Sequence, residues 1–429
     1  MTALTEKIKQ HPLMNTLLTL KGSPKTLLLS EPLWGIPFYL IAPFVTLYMQ
    51  ALGINDIQIG IILSVGTAVQ VVVSAVGGIV TDKFGRKNTT MMGDVFGWIT
   101  PCFIWALSGS FWPFLIATAF NSMEQVNQTA WVCFVNEGSE SDDQLVNIWK
   151  WVLIAGQVSV FFAPIAGILI AKNSVVPVVR VLYIIFAVSM ILKVIITYRY
   201  TVETKRGIIR KRETKNESFL QMLREYEKLI PATLRRKRSI YILAVLIVTQ
   251  CTYMITTNFF ALYATTNLHM SESMMAIFPI FKAAVMLIFF FAAPKIMDRI
   301  SLEVPMIIGC LFNVVAMLLL IFCPPGNLPI LFAYVFLEAI AFAIIVPRKE
   351  TLVVFNIEAE ERARVLSMLV TVSLLVSIPC GYIAGWLSSL DRQYPFILTL
   401  VLFVVMTIVL ALGWIKRPSM ATSDQPLDK

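Results

Sequence analysis

Histidine is almost missing from this chain, charge is thin, and the short signatures of enzymatic sites do not occur. The two histidines, His11 and His269, fall outside the long apolar runs, which removes imidazole as a proton or metal site within them. Charged residues make up 14% of the chain, against about 25% in a typical soluble protein; that deficit excludes both a soluble enzyme and a disordered scaffold. The six cysteines (Cys102, Cys133, Cys251, Cys310, Cys323 and Cys380) lie inside or at the ends of apolar runs. They have neither metal-ligand nor disulfide-framework spacing and read as small apolar packing residues. No His-Glu-x-x-His, no Gly-x-Ser-x-Gly and no Walker A loop is present, so an intramembrane enzyme has no support. An ATP-driven pump would need a separate subunit. No cofactor and no metal are expected.

What the chain does have is apolar length. Hydrophobic residues are 57% of the 429, enough for about a dozen membrane-spanning helices of about 20 residues each. Stretches such as Val175–Leu192 and Phe396–Leu412 are nearly unbroken, unlike the alternating runs of a membrane β-barrel. Twelve spans are expected, at 27–51, 57–80, 88–108, 111–135, 147–171, 175–198, 239–262, 272–294, 303–323, 328–354, 365–388 and 394–415. An even count puts both termini on one side. The tails and alternate loops on that side collect 29 of the 35 Lys and Arg, whereas the opposite loops hold only Lys172 and Arg392. The positive-inside rule therefore makes both termini cytoplasmic, in a multi-pass plasma-membrane protein whose first span is retained rather than cleaved.

The net charge of +9 does not point to nucleic acid, because 13 basic and 5 acidic residues between 199 and 238 account for nearly all of it. That basic loop separates an N-terminal six-span unit, 27–198, from a C-terminal one, 239–416, with tails at 1–26 and 417–429. Within the loop Phe219, Met222, Leu223, Tyr226 and Leu229 recur at helical spacing. The pattern fits either a helix on the inner membrane surface or a solvated linker. The two halves echo each other. Leu52 precedes Asp82-Lys83 by the same interval that separates Leu268 from Asp298-Arg299, and the pairs Gly93/Gly309 and Asp56/Glu272 keep that offset. A duplicated unit of this kind is common in transporters, with the substrate site at mid-depth between the copies.

Between the second and third spans lies Gly78-Ile79-Val80-Thr81-Asp82-Lys83-Phe84-Gly85-Arg86-Lys87. Gly85 permits a tight turn, Gly78 permits close helix approach, and Asp82 is an acceptor for a helix N-terminus or for nearby arginines. The decapeptide resembles motif A of the major facilitator superfamily. That resemblance implies an all-α membrane protein of twelve helices in two pseudo-symmetric six-helix bundles, carrying a small solute by alternating access. It also implies a conformational latch made of Gly78, Asp82, Lys83, Gly85, Arg86 and Lys87, in which Asp82 meets the start of the eleventh span near Arg362–Val365. The fourth span lacks the arginine of proton-driven drug exporters, and the antiporter signature is reduced to Ala163-Pro164-Ile165-Ala166-Gly167. Both departures weaken a drug-efflux reading.

Polar groups inside spans mark the candidate site, because a charge at the bilayer centre costs about 2.5–3.5 kcal/mol or more unless it is paired or wet. Asn121, Glu124, Gln125 and Gln128 share one stripe of the fourth span, and Asn147, Lys150 and Gln157 share a face of the fifth, where Lys150 near the cytoplasmic mouth reads as snorkelling to the interface. Gln250, Tyr253 and Thr257 form a milder stripe in the seventh. Lys282 and Glu338 sit at matching depth in the eighth and tenth, so that pairing between them is the expectation. Such stripes fit either a cavity wall or a hydrogen-bonded seam between helices. Arg348, Lys349 and Glu350 are inner-gate or interfacial-anchor candidates. Prolines 32, 37 and 43 make the first span bendable, and Glu31 reads as a residue of its first helical turn. A carboxylate held in low dielectric can trade its proton during a cycle; Glu124 is the first candidate for this and Glu338 the second. The expected partners are a small-molecule substrate, a proton or sodium ion and the lipid bilayer, with the protein a monomer. Uptake and efflux are both open. The competing reading is a transporter-like sensor or scaffold without transport activity.

Overall fold

In the computed structural model, the described residues are 12–139, 141–214, 237–292, 303–355 and 362–415. Among them there is no strand. Eleven helices are long and apolar enough to cross a membrane: Gly22–Ala51, Asp56–Phe84, Arg86–Leu107, Asn147–Asn173, Val175–Tyr200, Ile240–Thr266, Glu272–Phe289, Glu303–Ile321, Leu328–Lys349, Leu369–Leu390 and Tyr394–Leu412. The fourth span completes the set of twelve as two shorter helices, Phe111–Asn121 and Glu124–Gly138. Its polar stripe is what lowers its hydropathy. Spans are numbered below in chain order. The side that carries the turn at Gly85 is called the motif end, and the opposite side the far end.

Local chemistry explains the helix boundaries and breaks. Span two starts at a capping box in which Asn55 and Gln58 satisfy each other's backbone N–H groups, relieving two of the donors a helix start leaves open. It stops at Gly85, whose φ of +87° suits glycine. In span one only Pro43 marks a break, inside a short 3₁₀ turn at Ala42–Phe44, while Pro32 and Pro37 lie within continuous helix. That helix begins at Gly22, so Glu31 stands in its third turn and not its first.

Spans three and four are irregular at the same depth. Span three widens to a π-turn at Val95–Ile99, which frees carbonyls from the regular ladder. Asn121 at the break in span four donates to Gly97 O at 2.7 Å, and Ser122 Oγ donates to Gly66 O in span two at 3.0 Å. Backbone polarity opened inside the membrane is thus answered by a neighbouring helix. Gly93 of span three lies against Asn127, and Gly309 of span nine against Ile344 and Ile345. The two echoed glycines therefore serve the same third-to-fourth helix contact in each half.

Toward the far end the two bundles meet backbone to backbone. A Cβ on Gly60 of span two would come within 2.6 Å of Gly381 O and 2.9 Å of Gly385 Cα in span eleven, so only glycines allow these backbones to meet. Ser64 Oγ donates to Ile378 O at 2.6 Å and accepts from Tyr382 N at 2.8 Å. Nearer the motif end, Ser74 and Thr371 hydroxyls lie 3.3 Å apart. The surface-helix candidate around Phe219–Leu229 and the second-half echo at Asp298-Arg299 lie outside the described residues.

Candidate functional site

Two cavities adjoin at mid-depth. One, of about 240 Å³, is bordered by Gln250, Tyr253, Thr256, Asn313, Phe342 and Lys349 among others. The second, of about 210 Å³, lies between the bundles, where Phe38, Tyr39 and Pro43 of span one face Tyr253, Thr257 and Phe260 of span seven. Both are lined by Tyr253, Thr256, Lys282 and Glu338. Lys282 Nζ stands 3.1 Å from Glu338 Oε2 and 5.1 Å from the centre of the Phe342 ring. Tyr334, one turn earlier in span ten, lines the second cavity beside Glu338.

The polar stripe of span four takes a different position. Asn121 is engaged in the seam with span three, Gln128 is exposed, and Glu124, Gln125 and Gln157 are half-buried. None of these five residues lines either cavity. Glu124 instead lies within the electrostatic reach of Asp94 and Lys193. Lys193 Nζ is 3.5 Å from Glu31 Oε1 and 3.8 Å from Asp94 Oδ2, and Asn127 Nδ2 donates to Asp94 Oδ1 at 2.7 Å. Three carboxyl groups and one ammonium thus cluster among spans one, three, four and six. Sequence reasoning passes over Asp94, because nothing on span three itself reveals that a lysine from span six reaches it.

Motif A is anchored within its own half and the central loop. Asp82 Oδ1 accepts from Arg86 at 2.9 Å, and Asp82 Oδ2 accepts from Arg210 at 2.9 Å. Arg210 belongs to a helix at Lys205–Glu213, and Asp82 beside it pushes the already high pKa of its guanidinium further up. Arg86 also grips Glu137 at 3.0 Å. Glu203 accepts from the backbone N–H groups of Arg86 and Lys87, both at 3.1 Å, capping the start of span three. Lys87 Nζ donates to the carbonyls of Tyr198 and Thr201. Both oxygens of Asp82 therefore have partners apart from span eleven; the side chains near Arg362–Val365 lie outside the described residues. Gly77, one residue before Gly78, is the glycine that rests on Val126 and Thr129 of span four. Of the inner-gate candidates, Lys349 borders a cavity and Arg348 donates to Ile344 O at 3.3 Å, while the Glu350 side chain lies outside the described residues.

Comparison with known proteins agrees with this architecture. The family model of the Major Facilitator Superfamily matches residues 33–347. An uncharacterized MFS-type transporter of Bacillus subtilis (strain 168), YqjV, is 27% identical over 128 residues. That match spans 29% of this chain and only 31% of the relative's length. Among solved structures, a mutant of the nucleoside transporter NupG superposes with a TM-score of 0.72 at 16% identity, covering 91% of this chain and 99% of that one. A POT family transporter in complex with a thioalcohol-conjugated peptide gives 0.71 at 15%, covering 94% and 99%. At such identities the likeness is one of fold.

Proposed function

The chain belongs to the major facilitator superfamily, and from that premise we propose a proton-coupled secondary transporter that moves a small solute through the cavities around Lys282 and Glu338. The single observation that supports this reading is an oppositely charged pair set in the wall of two adjoining mid-depth cavities. A scaffold gains nothing from keeping such charges beside a void in the membrane, whereas a carrier needs groups that change partners. In this reading the motif end faces the cytoplasm of the plasma membrane, which the distribution of lysine and arginine supports, and the protein works as a monomer.

Geometry also orders the two coupling candidates. Glu338 borders both cavities, whereas Glu124 borders neither and is held against a buried cluster that already has more carboxyls than ammoniums. Glu338→Gln should therefore abolish solute accumulation driven by an imposed pH gradient in proteoliposomes. Glu124→Gln, which removes one surplus carboxyl, should retain most of it. A wild-type protein that moves no solute of a broad polar panel under any pH gradient would overturn the transport reading. Loss of pH-driven uptake in Glu124→Gln alone would return the coupling role to that residue.

A further inference from the structure

The surroundings of the Lys282–Glu338 pair restrict the charge of what can bind there. A neutral solute leaves the pair intact. A solute with one negative charge must take Lys282 from Glu338, and one with a positive charge must take Glu338 from Lys282. In either case the abandoned partner is a half-buried charge without a counter-ion, which is the costly product of breaking such a pair. The cost vanishes only if that partner changes its protonation state as the pair opens.

The two partners are not equally prepared for that change. Lys282 rests over the face of Phe342 at 5.1 Å, an attraction that exists only for the ammonium form and persists when Glu338 lets go. Glu338 shares the wall of the second cavity with Tyr334, whose hydroxyl can donate to a carboxylate and can equally accept from a carboxyl O–H. The lysine thus keeps an attractive partner when the pair opens, and the glutamate has in its cavity wall a hydroxyl that suits both of its forms. Among the described residues, the other titratable groups that line the two cavities are Tyr253 from span seven, Tyr39 from span one, and Lys349 three turns further along span ten. Phe342, Phe260, Phe278 and Phe38 supply apolar walls for the body of a ligand.

We propose that the site takes a monovalent organic anion with an aromatic or aliphatic body, bound by the Lys282 ammonium, together with one proton accepted by the Glu338 carboxylate. This inference rests on the transport reading above and narrows it to a substrate class. In the loading step the Lys282–Glu338 ion pair breaks, an O–H bond forms on Glu338 with a proton from the aqueous phase, and the anion pairs with Lys282. One anion and one proton together carry no net charge, so translocation is electroneutral. Anion and proton each favour the other's binding, because each needs the same pair opened.

Benzenesulfonate suits as a probe, because it stays anionic across the working range and carries no proton of its own. Added to purified protein in weakly buffered detergent solution near pH 7, it should draw roughly one proton per bound anion from solution, read with a pH indicator. Thermal stabilisation by the probe should grow as pH falls from 7.5 to 5.5. Glu338→Gln should bind benzenesulfonate with no proton uptake and no pH dependence, at an affinity about 5- to 150-fold above wild type at pH 7.5. The double variant Lys282→Gln/Glu338→Gln contains no unpaired charge, so it should fold and fail to bind. Stronger stabilisation by phenylalanine or benzyltrimethylammonium than by benzenesulfonate would overturn the proposal, as would anion binding without proton uptake in the wild type. If no anion binds while another solute is accumulated under a pH gradient, the substrate class fails and the transport reading stands. If nothing on the panel is bound or moved, both fail.

Discussion

Replacing Lys193 with methionine should remove most folded protein from the membrane. Lys193 is 4% exposed and Asp94 is fully buried, and the lysine contributes the cluster's ammonium against Glu31, Asp94 and Glu124. Its loss strands buried carboxyl groups among spans one, three, four and six. Breaking a buried pair from one side costs about 3–5 kcal/mol, a large share of the about 5–15 kcal/mol that holds a typical domain folded. The volume change is small, since methionine fills nearly the same stem, so the penalty is electrostatic rather than one of packing. Fluorescence-detected size-exclusion and melting curves read the outcome directly. A second substitution separates charge from shape: Lys193→Met with Asp94→Asn removes one charge of each sign and should recover much of the lost stability. If Lys193→Met melts within about 1 kcal/mol of wild type, the cluster does not hold the bundle together. If the double variant melts no higher than the single one, the loss was not electrostatic.

The same cluster shows where the sequence is legible and where it is not. Hydropathy suffices for the spans, because a lipid environment forces each crossing to be a helix of predictable length. Motif A and the internal echo carry the family, and matching depth alone brings Lys282 and Glu338 together. Reading Glu31 as a first-turn residue fails because the helix starts five residues earlier than hydropathy places it, in the stretch Gly22–Thr26. The irregular middle of span four is visible as a polar stripe, yet its meaning depends on the π-turn of span three, which no pattern in Val95–Ile99 announces. Asp94 and Lys193 are far apart in the chain and meet only once spans three and six pack. Glu137, Glu203 and Arg210 escape notice for the same reason: the family motif gives the turn at Gly85, while its partners come from three separate places in the chain.

The far end should open when its clasp is cut. Asp56 at the start of span two is 7% exposed and accepts from Arg392 Nε at 3.0 Å and Nη2 at 3.2 Å, with Ser388 Oγ at 2.6 Å. Arg392 also reaches Thr266 at the end of span seven, so one guanidinium ties span two to spans seven and eleven across the line between bundles. A bidentate arginine–carboxylate pair is among the stronger charge-assisted contacts, and truncating one partner of such a pair costs about 2–5 kcal/mol. Each 1.4 kcal/mol is a factor of ten in an equilibrium, so Arg392→Ala should shift the balance between far-end-closed and far-end-open forms at least tenfold toward the open one. Gly385→Leu should act in the same direction by a different route, because a side chain there meets Asp56 O at 2.5 Å and Gly60 Cα at 2.8 Å. A cysteine placed at Thr256, which lines both cavities, reports the change. In either variant it should label with an impermeant maleimide from the face opposite the motif end at least tenfold faster than in the otherwise unaltered protein. Equal labelling rates in all three would mean that the clasp does not hold the far end shut. Labelling that rises only from the motif side would instead show that the contacts at Asp56 and Gly60 close some other passage.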